Sequence, residues 1–305
     1  AVAATHSARL QLGTGVAIAF PRSPRVMANI GWDLQGASRG RFELGIGTQV
    51  KGHNERRFSV PWSAPAPRLK EYIGALRAIW RSWKTGEPLA FEGEHYQFTL
   101  MTPNFTPEPM DYAPPPITMA AVGPAMLRLA GEVADGVRLH AFCTRRYFEN
   151  TVLPELQTGL ARAGRSRESL QVSGGGFVVT GATDEDVASS VEFHRQRIAF
   201  YGSTRAYWPV LEQHDLLDVG QQLNVMARNN QWQDMPAVVS DDMLQLFCAI
   251  GRHDQIADEI ARQFGGLSDA ISDSASYDMP GQLPTSVIED IQAIPGQFAG
   301  FPPAN

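Results

Sequence analysis

The sequence predicts an α/β protein with a mostly parallel sheet. Short apolar runs alternate with long amphipathic segments along all 305 residues, which is the pattern of strands connected by helices. Several apolar runs end in glycine, and in such sheets the loops that carry chemistry follow the strand ends. This alternation fits an open sheet, or a barrel whose first quarter is absent.

Six apolar runs are predicted strands. Because a (β/α)8 barrel needs eight strands, two βα units are not seen. The predicted strands span residues 10–18, 42–46, 117–121, 136–140, 171–180 and 270–274.

Amphipathic segments between the strands predict helices. Thr183 and Asp186 form a capping box at the start of one helix, and Gly202 is a stop signal at its end. The charges that follow Lys51 predict a loop. The predicted helices span residues 25–37, 66–85, 125–134, 145–163, 184–201, 241–249, 254–264 and 285–293.

Two excursions interrupt the alternation in what we expect to be a single domain over residues 1–305. Residues 87–116 contain strand-like pieces and a proline-rich approach to the next strand. Residues 203–239 are helical in part and too long for a simple connection, which predicts a lid or pocket wall. Their aromatic side chains suit an apolar or ring-containing molecule, although such residues commonly belong to the core.

The composition argues against several classes of function. A formal charge of −6 and a pI near 5.7 argue against a nucleic-acid partner. No apolar run is long enough to predict a membrane span. Cys143 and Cys248 have no metal-ligand spacing and indicate two reduced thiols. We therefore expect a cytoplasmic protein.

Two predicted strands carry glycine near their C-terminal ends. In the first, Thr14, Gly15 and Val16 precede the exit; glycine there admits a flat ligand close to the backbone, or relieves crowding in a barrel. The second runs into Thr48 and Gln49 without the G-x-G-x-x-G pattern of a dinucleotide site. A bound ligand and plain packing both fit these segments.

The strand over residues 117–121 leads into a helix with proline at its first position, which predicts amides able to receive a phosphate. A tight turn with nothing bound fits the same sequence. The residues at this turn are Val122, Gly123, Pro124, Ala125 and Met126.

His140 ends a predicted strand, where a neutral imidazole can hydrogen-bond a ligand or carry a proton. A packed structural histidine is the alternative. The other histidines form no metal-like pair, so we predict no metal site.

These stretches resemble the bacterial luciferase-like monooxygenase superfamily, flavin- and deazaflavin-dependent oxidoreductases built on a (β/α)8 TIM barrel. The matching segments are "LGTGVAIAFPRSP", "SRGRFELGIGT", "RLKEYIGALRAIW", "PPPITMAAVGP" and "LAGEVADG". Two further segments resemble its mycobacterial-type branch, which is assigned to coenzyme F420. They are "GTQVKGHNERRFSVPWSAP" and "QRIAFYGSTRAYWPVLEQH".

The resemblance implies a fold, a cofactor and site roles. In the family, the peptide corresponding to Gly15–Val16 is a non-prolyl cis bond behind the central ring of the cofactor. Thr48 and Gln49 would line the ring pocket, and the turn from Gly123 to Met126 would receive the phosphate. The resemblance to this family also favours a homodimer.

The family normally has two further βα units before the first strand seen here, so the resemblance implies an N-terminally incomplete barrel. We then expect two unpaired strand edges, poor cofactor binding, and the absence of a proton-handling residue that the second family strand often supplies.

Three functions follow as alternatives. The first is hydride transfer between coenzyme F420 and a small organic substrate, and the second is FMN-dependent monooxygenation with molecular oxygen. The third is a lyase or isomerase acting on a phosphorylated substrate, which the three lysines disfavour because none ends a strand: Lys51, Lys70 and Lys84. An inactive fragment or a non-catalytic flavoprotein is also compatible with the missing units.

Overall fold

Ten strands and thirteen α-helices make up the computed structural model, as far as it describes the chain, which is over residues 1–271 and 283–301. The strands are β1 (Leu12–Gly13), β2 (Ala17–Ile18), β3 (Phe42–Gly47), β4 (Phe91–Glu92), β5 (Gln97–Phe98), β6 (Ile117–Ala121), β7 (Gly136–Leu139), β8 (Gln171–Ser173), β9 (Phe177–Gly181) and β10 (Cys248–Arg252). The helices are α1 (Val2–Thr5), α2 (Pro24–Ala37), α3 (Lys51–Arg57), α4 (Pro65–Thr85), α5 (Pro124–Val133), α6 (Arg145–Tyr147), α7 (Leu153–Arg162), α8 (Asp184–Gly202), α9 (Trp208–Glu212), α10 (Leu217–Arg228), α11 (Asp241–Phe247), α12 (Ile256–Phe264) and α13 (Thr285–Gln292).

A six-stranded parallel sheet lies at the centre of the fold. Its order is β1-β3-β6-β7-β8, and β2 pairs with β3 beyond the end of β1. Within the described residues the sheet is open: β1 pairs on one side only, and β8 meets Ala270 through a single bridge at Ser173. This unpaired edge at β1 fits both alternatives predicted from the sequence, an open sheet and an incomplete barrel. Residues 272–274 of the last predicted strand lie outside the described residues.

The first predicted strand, residues 10–18, is interrupted by a bulge. Gly13 pairs with Glu43, whereas Ala17 pairs with Ile46, so three residues of this strand lie opposite two of β3. The extra residue lies where the Gly15–Val16 peptide is cis, as the resemblance predicts.

The predicted strand over residues 171–180 is also divided in two. Gly174 and Gly175, with φ values of 85° and 104°, turn the chain between β8 and β9. β9 then pairs with β10, which was not predicted because the preceding helix was expected to extend to residue 249. That helix ends at Phe247, because the next residues are buried against β9 in extended form.

Three other predictions need correction or refinement. The segment after Lys51 is helix α3 and not a loop. The predicted helix over residues 145–163 contains a π-helical turn at Phe148–Val152. The excursion at 87–116 holds the β4–β5 hairpin, and that at 203–239 holds α9 and α10. The capping box of Thr183 and Asp186 is present.

The sheet presents two different faces. Phe42, Leu44 and Ile46 of β3 are buried in the main hydrophobic core, which also includes side chains of α2 and α4. Because successive side chains of a strand alternate, Glu43 and Gly45 face the opposite, interior side. The candidate site is built on this interior face. Within the described residues, no helix is both long and apolar enough to cross a membrane.

Candidate active site

A charged network lies on the interior face of the sheet. Arg138 Nη2 pairs with Glu43 Oε1, and Arg138 Nε donates to Thr118 Oγ1 at 3.2 Å. Thr118 Oγ1 in turn donates to Glu43 Oε1 at 2.8 Å. Gly13 leaves room for the Arg138 guanidinium, because a Cβ on that glycine would lie 3.2 Å from Arg138 Nη2. One glycine of the first strand is thus explained by packing.

The bulge at residues 14–16 is fixed against β3. Thr14 Oγ1 donates to the Gly45 carbonyl at 2.6 Å, and the Thr14 carbonyl lies against Gly45, where a Cβ would be 1.9 Å from the oxygen. Val16 covers Gly47 in the same way, with Cγ2 at 2.6 Å from an ideal Cβ. Gly15 itself faces open space, since a Cβ there would meet no atom within 4 Å. The surface on the Gly15 side of the bulge is therefore free to contact a ligand.

Thr48 and Gln49 follow β3 at the same edge of the sheet. The Thr48 carbonyl accepts a hydrogen bond of 2.8 Å from Asn54 Nδ2 of α3. Gln49 is exposed and has a φ of 57°, so the chain turns sharply there. Helix α3, which was predicted as a loop, therefore holds this turn in place.

The N-terminus of α5 follows β6 directly. Gly123 caps the helix and, like Gly15, has open space where a Cβ would be. Pro124 has no N–H, and the Met126 amide donates to the Gly123 carbonyl at 3.0 Å. The prediction of several free amides at this turn therefore needs one correction. The Met126 amide is already hydrogen-bonded, and the Ala125 amide is the one that the first turn leaves without an intrahelical acceptor.

Val122 and His140 emerge side by side, because the residues before them, Ala121 and Leu139, are paired across β6 and β7. The Val122 carbonyl accepts a hydrogen bond of 3.4 Å from the Tyr147 hydroxyl. The helix start after β6 and the histidine after β7 therefore share one edge of the sheet.

His140 is held as a neutral imidazole. Its Nδ1 accepts a hydrogen bond of 2.9 Å from the Phe142 amide, which places the ring proton on Nε2. Burial, and secondarily the positive charge of Arg197, lower the pKa of His140 to about 4. At neutral pH this side chain donates a hydrogen bond from Nε2, and it is poorly suited to carry a proton.

Aromatic rings from the 203–239 excursion and the end of α8 surround His140. The ring centroid of Tyr201 lies 4.3 Å from that of His140 in edge-on geometry, and that of Tyr207 lies 4.7 Å away. Burial raises the pKa of Tyr207 to about 12. The predicted pocket wall thus reaches the predicted histidine.

Arg197 is a residue of this region that was not predicted from the sequence. It lies one helical turn before Tyr201 on α8, and the i, i+4 spacing of the two residues was the available signal.

One group of possible metal ligands was also not predicted from the sequence. Glu71, Glu94 and His95 have ligand atoms within 4.8 Å of one another. The Glu71 carboxylate already accepts the His95 amide at 2.8 Å, which fastens the β4–β5 hairpin to α4. This group has a structural explanation.

Proteins of similar sequence indicate the family of this chain. The luciferase-like monooxygenase family model matches residues 1–268. A Mycobacterium tuberculosis protein described as uncharacterized is 46% identical over 270 residues, 88% of this chain and 79% of that protein. An F420-dependent glucose-6-phosphate dehydrogenase of Nakamurella multipartita is 35% identical over 166 residues, 53% of this chain and 46% of that enzyme.

Solved structures show the same fold. The coenzyme F420 dependent tetrahydromethanopterin reductase from Methanopyrus kandleri has a TM-score of 0.75 at 21% identity, covering 96% of this chain and 84% of that one. The oxygenating constituent of 3,6-diketocamphane monooxygenase from Pseudomonas putida, in complex with FMN, has a TM-score of 0.60 at 16% identity, covering 91% and 77%. The predicted TIM-barrel type is confirmed, and the chain belongs to the luciferase-like monooxygenase family of oxidoreductases.

Proposed function

We propose that this oxidoreductase transfers a hydride between coenzyme F420 and a small organic substrate. The similarity to an F420-dependent dehydrogenase supports the cofactor, and the solved F420-dependent reductase shares the fold. The observation that carries the proposal is the neutral, hydrogen-bonded His140 at the sheet edge that also holds the α5 N-terminus.

The residues present fit a flat cofactor with a phosphate. Gly15 and Gly123 both leave open space where other residues would place a Cβ, so a ring and a phosphate can approach the backbone at these two points. Gly15, Val16, Thr48 and Gln49 would hold the ring. The segment from Val122 to Met126 would hold the phosphate, with the Ala125 amide and the helix dipole favouring its charge.

Bound F420 supplies or accepts the hydride, and the protein orients the substrate. The His140 Nε2–H is the donor available to polarise a substrate carbonyl oxygen, since Nδ1 is engaged by Phe142. Tyr201 and Tyr207 pack against the same imidazole and limit its contact with water. The positive charge of Arg197 favours the neutral form of His140, which keeps Nδ1 an acceptor for the Phe142 amide.

The alternative cofactor is FMN, with molecular oxygen as the second substrate. The monooxygenase neighbour in complex with FMN supports this alternative. Oxygen consumption distinguishes the two cofactors, because reduced flavins react readily with oxygen and reduced deazaflavins do not.

Binding of each cofactor to the purified protein tests the proposal. We expect F420 fluorescence to report binding at least about tenfold tighter than that of FMN. Reduced F420 should then be oxidised by carbonyl compounds without oxygen uptake. Preferential FMN binding accompanied by oxygen consumption would favour the monooxygenase instead.

A further inference from the structure

A groove of about 340 Å³ lies between the end of α8 and the last part of the 203–239 excursion. Its walls combine one cation with aromatic and apolar side chains. They are Gln196, Arg197, Phe200, Tyr201, Trp232 and Met235.

Arg197 is the one cation among the described residues that line this groove. Across residues 1–271 and 283–301, neither a carboxylate within ion-pair distance nor a hydrogen-bond acceptor is found for its guanidinium. Its Nε is buried without a partner, and its guanidinium carbon lies 5.5 Å from the ring centre of Phe193. A buried donor of this kind is costly unless a ligand or a water molecule accepts its hydrogen bond.

The neighbouring Arg195 differs from Arg197 in its partners. Arg195, two residues earlier on α8, is bound by Glu192, Asp241 and the Val239 carbonyl. Nearby acidic side chains thus pair with Arg195 and leave the charge of Arg197 available.

The rest of the groove is aromatic. Phe200 is 51% exposed and Trp232 is 42% exposed, and their ring centroids are 6.0 Å apart. Two large rings beside a guanidinium that has no carboxylate partner in the described part of the chain form a site for an apolar molecule that carries one negative charge.

The groove adjoins the candidate active site. Tyr201 lines the groove and also packs edge-on against His140, at a centroid distance of 4.3 Å. Arg197 is close enough to act on the charge of His140. Tyr201 therefore forms the boundary between the groove and His140, and a substrate anchored in the groove would extend past Tyr201 to reach the imidazole.

We propose that this groove binds the organic substrate and selects an aromatic or similarly apolar molecule with a carboxylate, which Arg197 binds. The assignment of the ligand as substrate rests on the proposed function, whereas its chemistry rests on the groove alone. An Arg–carboxylate pair can form two parallel hydrogen bonds, so the planar guanidinium matters as well as its charge.

Calorimetric titration with 2-naphthoate and its neutral amide, 2-naphthamide, tests this assignment. We expect the wild-type protein to bind the carboxylate at least about tenfold more tightly than the amide. Arg197→Met should abolish the preference, and Arg197→Lys should retain part of it. Arg162→Met, at an exposed arginine on α7 outside the groove, should leave it unchanged. Equal affinity for the two probes, or an unchanged preference in Arg197→Met, would overturn the proposal.

A second variant, Trp232→Ala, tests the groove independently in case Arg197→Met does not fold. Trp232→Ala removes an exposed wall of the groove, and it should weaken both probes while keeping the preference for the carboxylate. If Trp232→Ala binds both probes as the wild type does, the groove is not their site and the proposal fails.

Repeating the titrations with saturating F420 separates the two proposals. The acidic tail of F420 also carries carboxylates, so competition between F420 and 2-naphthoate would show that the groove serves the cofactor and would overturn the substrate assignment. Simultaneous binding supports it. A protein that bound 2-naphthoate through Arg197 but did not bind F420 would refute the proposed cofactor and leave the groove chemistry intact.

Discussion

The Phe142 amide donates a hydrogen bond to His140 Nδ1 at 2.9 Å. The donor is two residues beyond its acceptor, so the loop after β7 fixes the tautomer of its own histidine. With Nδ1 occupied as an acceptor, protonation would place a hydrogen against the Phe142 N–H. Local backbone geometry and burial therefore act in the same direction, towards a neutral ring with its proton on Nε2.

The stability of the fold should depend on pH through His140. The pKa of His140 is about 4 in the folded protein, compared with 6.5 for an unperturbed histidine. Above pH 6.5 the ring is therefore neutral in both the folded and the unfolded chain, and no free energy of unfolding is lost to its protonation. As the pH falls from 6.5 towards 4, the unfolded chain binds a proton that the folded protein does not, and up to about 3 kcal/mol is lost.

His140→Gln provides the comparison, because the glutamine carbonyl oxygen can accept from the Phe142 amide but does not titrate. Urea unfolding of both proteins across this pH range measures the effect. The free-energy difference between wild type and variant should shrink as the pH falls. A difference that is constant with pH would contradict the assigned pKa.

Gly45→Ala should disrupt the contact between β3 and the bulge. The added Cβ would lie 1.9 Å from the Thr14 carbonyl oxygen and 3.1 Å from Arg138 Nε, and both neighbours are themselves constrained. We expect a loss of roughly 3 kcal/mol in the free energy of unfolding.

Gly36→Ala is the matched control for Gly45→Ala. This glycine lies in α2, where a Cβ would meet no atom within 4 Å, so alanine should raise stability by about 0.5 to 1 kcal/mol. Chemical denaturation of the two variants gives both values. Similar free energies of unfolding for Gly45→Ala and Gly36→Ala would show that the bulge moves to accommodate the added Cβ, and would contradict this prediction.

The sequence could predict which strand ends form the candidate site, but not how the side chains around them pack. Glycine inside an apolar run fitted both a ligand site and relief of crowding, and only the resemblance to the family predicted the cis peptide observed at Gly15–Val16. The sequence could not show that Gly13 makes room for Arg138, since the two residues meet only through the register of four strands, β1, β3, β6 and β7. Likewise, the sequence could not show that Glu192 and Asp241 pair with Arg195, whereas Arg197 has no carboxylate partner among the residues that the structure describes.

The strand predictions failed where the chain bends. Residues 171–180 were predicted as one strand, although three consecutive glycines lie in the middle of the segment. Composition alone does not decide between one strand and two. β10 was missed because Cys248, Ala249 and Ile250 continue the apolar pattern of the helix before them. Pairing with β9, a tertiary interaction, is what makes this segment extended.

Glu43→Gln should destabilise the interior network by about 2 kcal/mol, because the Arg138 guanidinium would keep its charge without a carboxylate. The side chains are 33% and 12% exposed, so water screens the pair only in part. Adding Arg138→Met to this variant should cost less than Arg138→Met does alone.

The exposed pair of Lys51 and Glu55, 3.9 Å apart, supplies the control for this cycle. Glu55→Gln should change stability by less than about 0.5 kcal/mol. Strict additivity in the Glu43 and Arg138 cycle, measured by urea unfolding, would mean that the interior ion pair contributes no coupling.

His140→Phe separates the chemistry of the imidazole from its packing. Phenylalanine retains a ring against Tyr201 and Tyr207 but removes the Nε2–H donor. If that donor polarises the substrate, kcat for oxidation of reduced F420 should fall roughly 100-fold. The dissociation constant of F420 should change little, because the proposed cofactor contacts lie on other residues. His253→Gln, at a histidine beyond β10, should leave both quantities unchanged. A loss confined to KM would assign His140 to substrate binding alone, and an unaltered kcat would remove it from the mechanism.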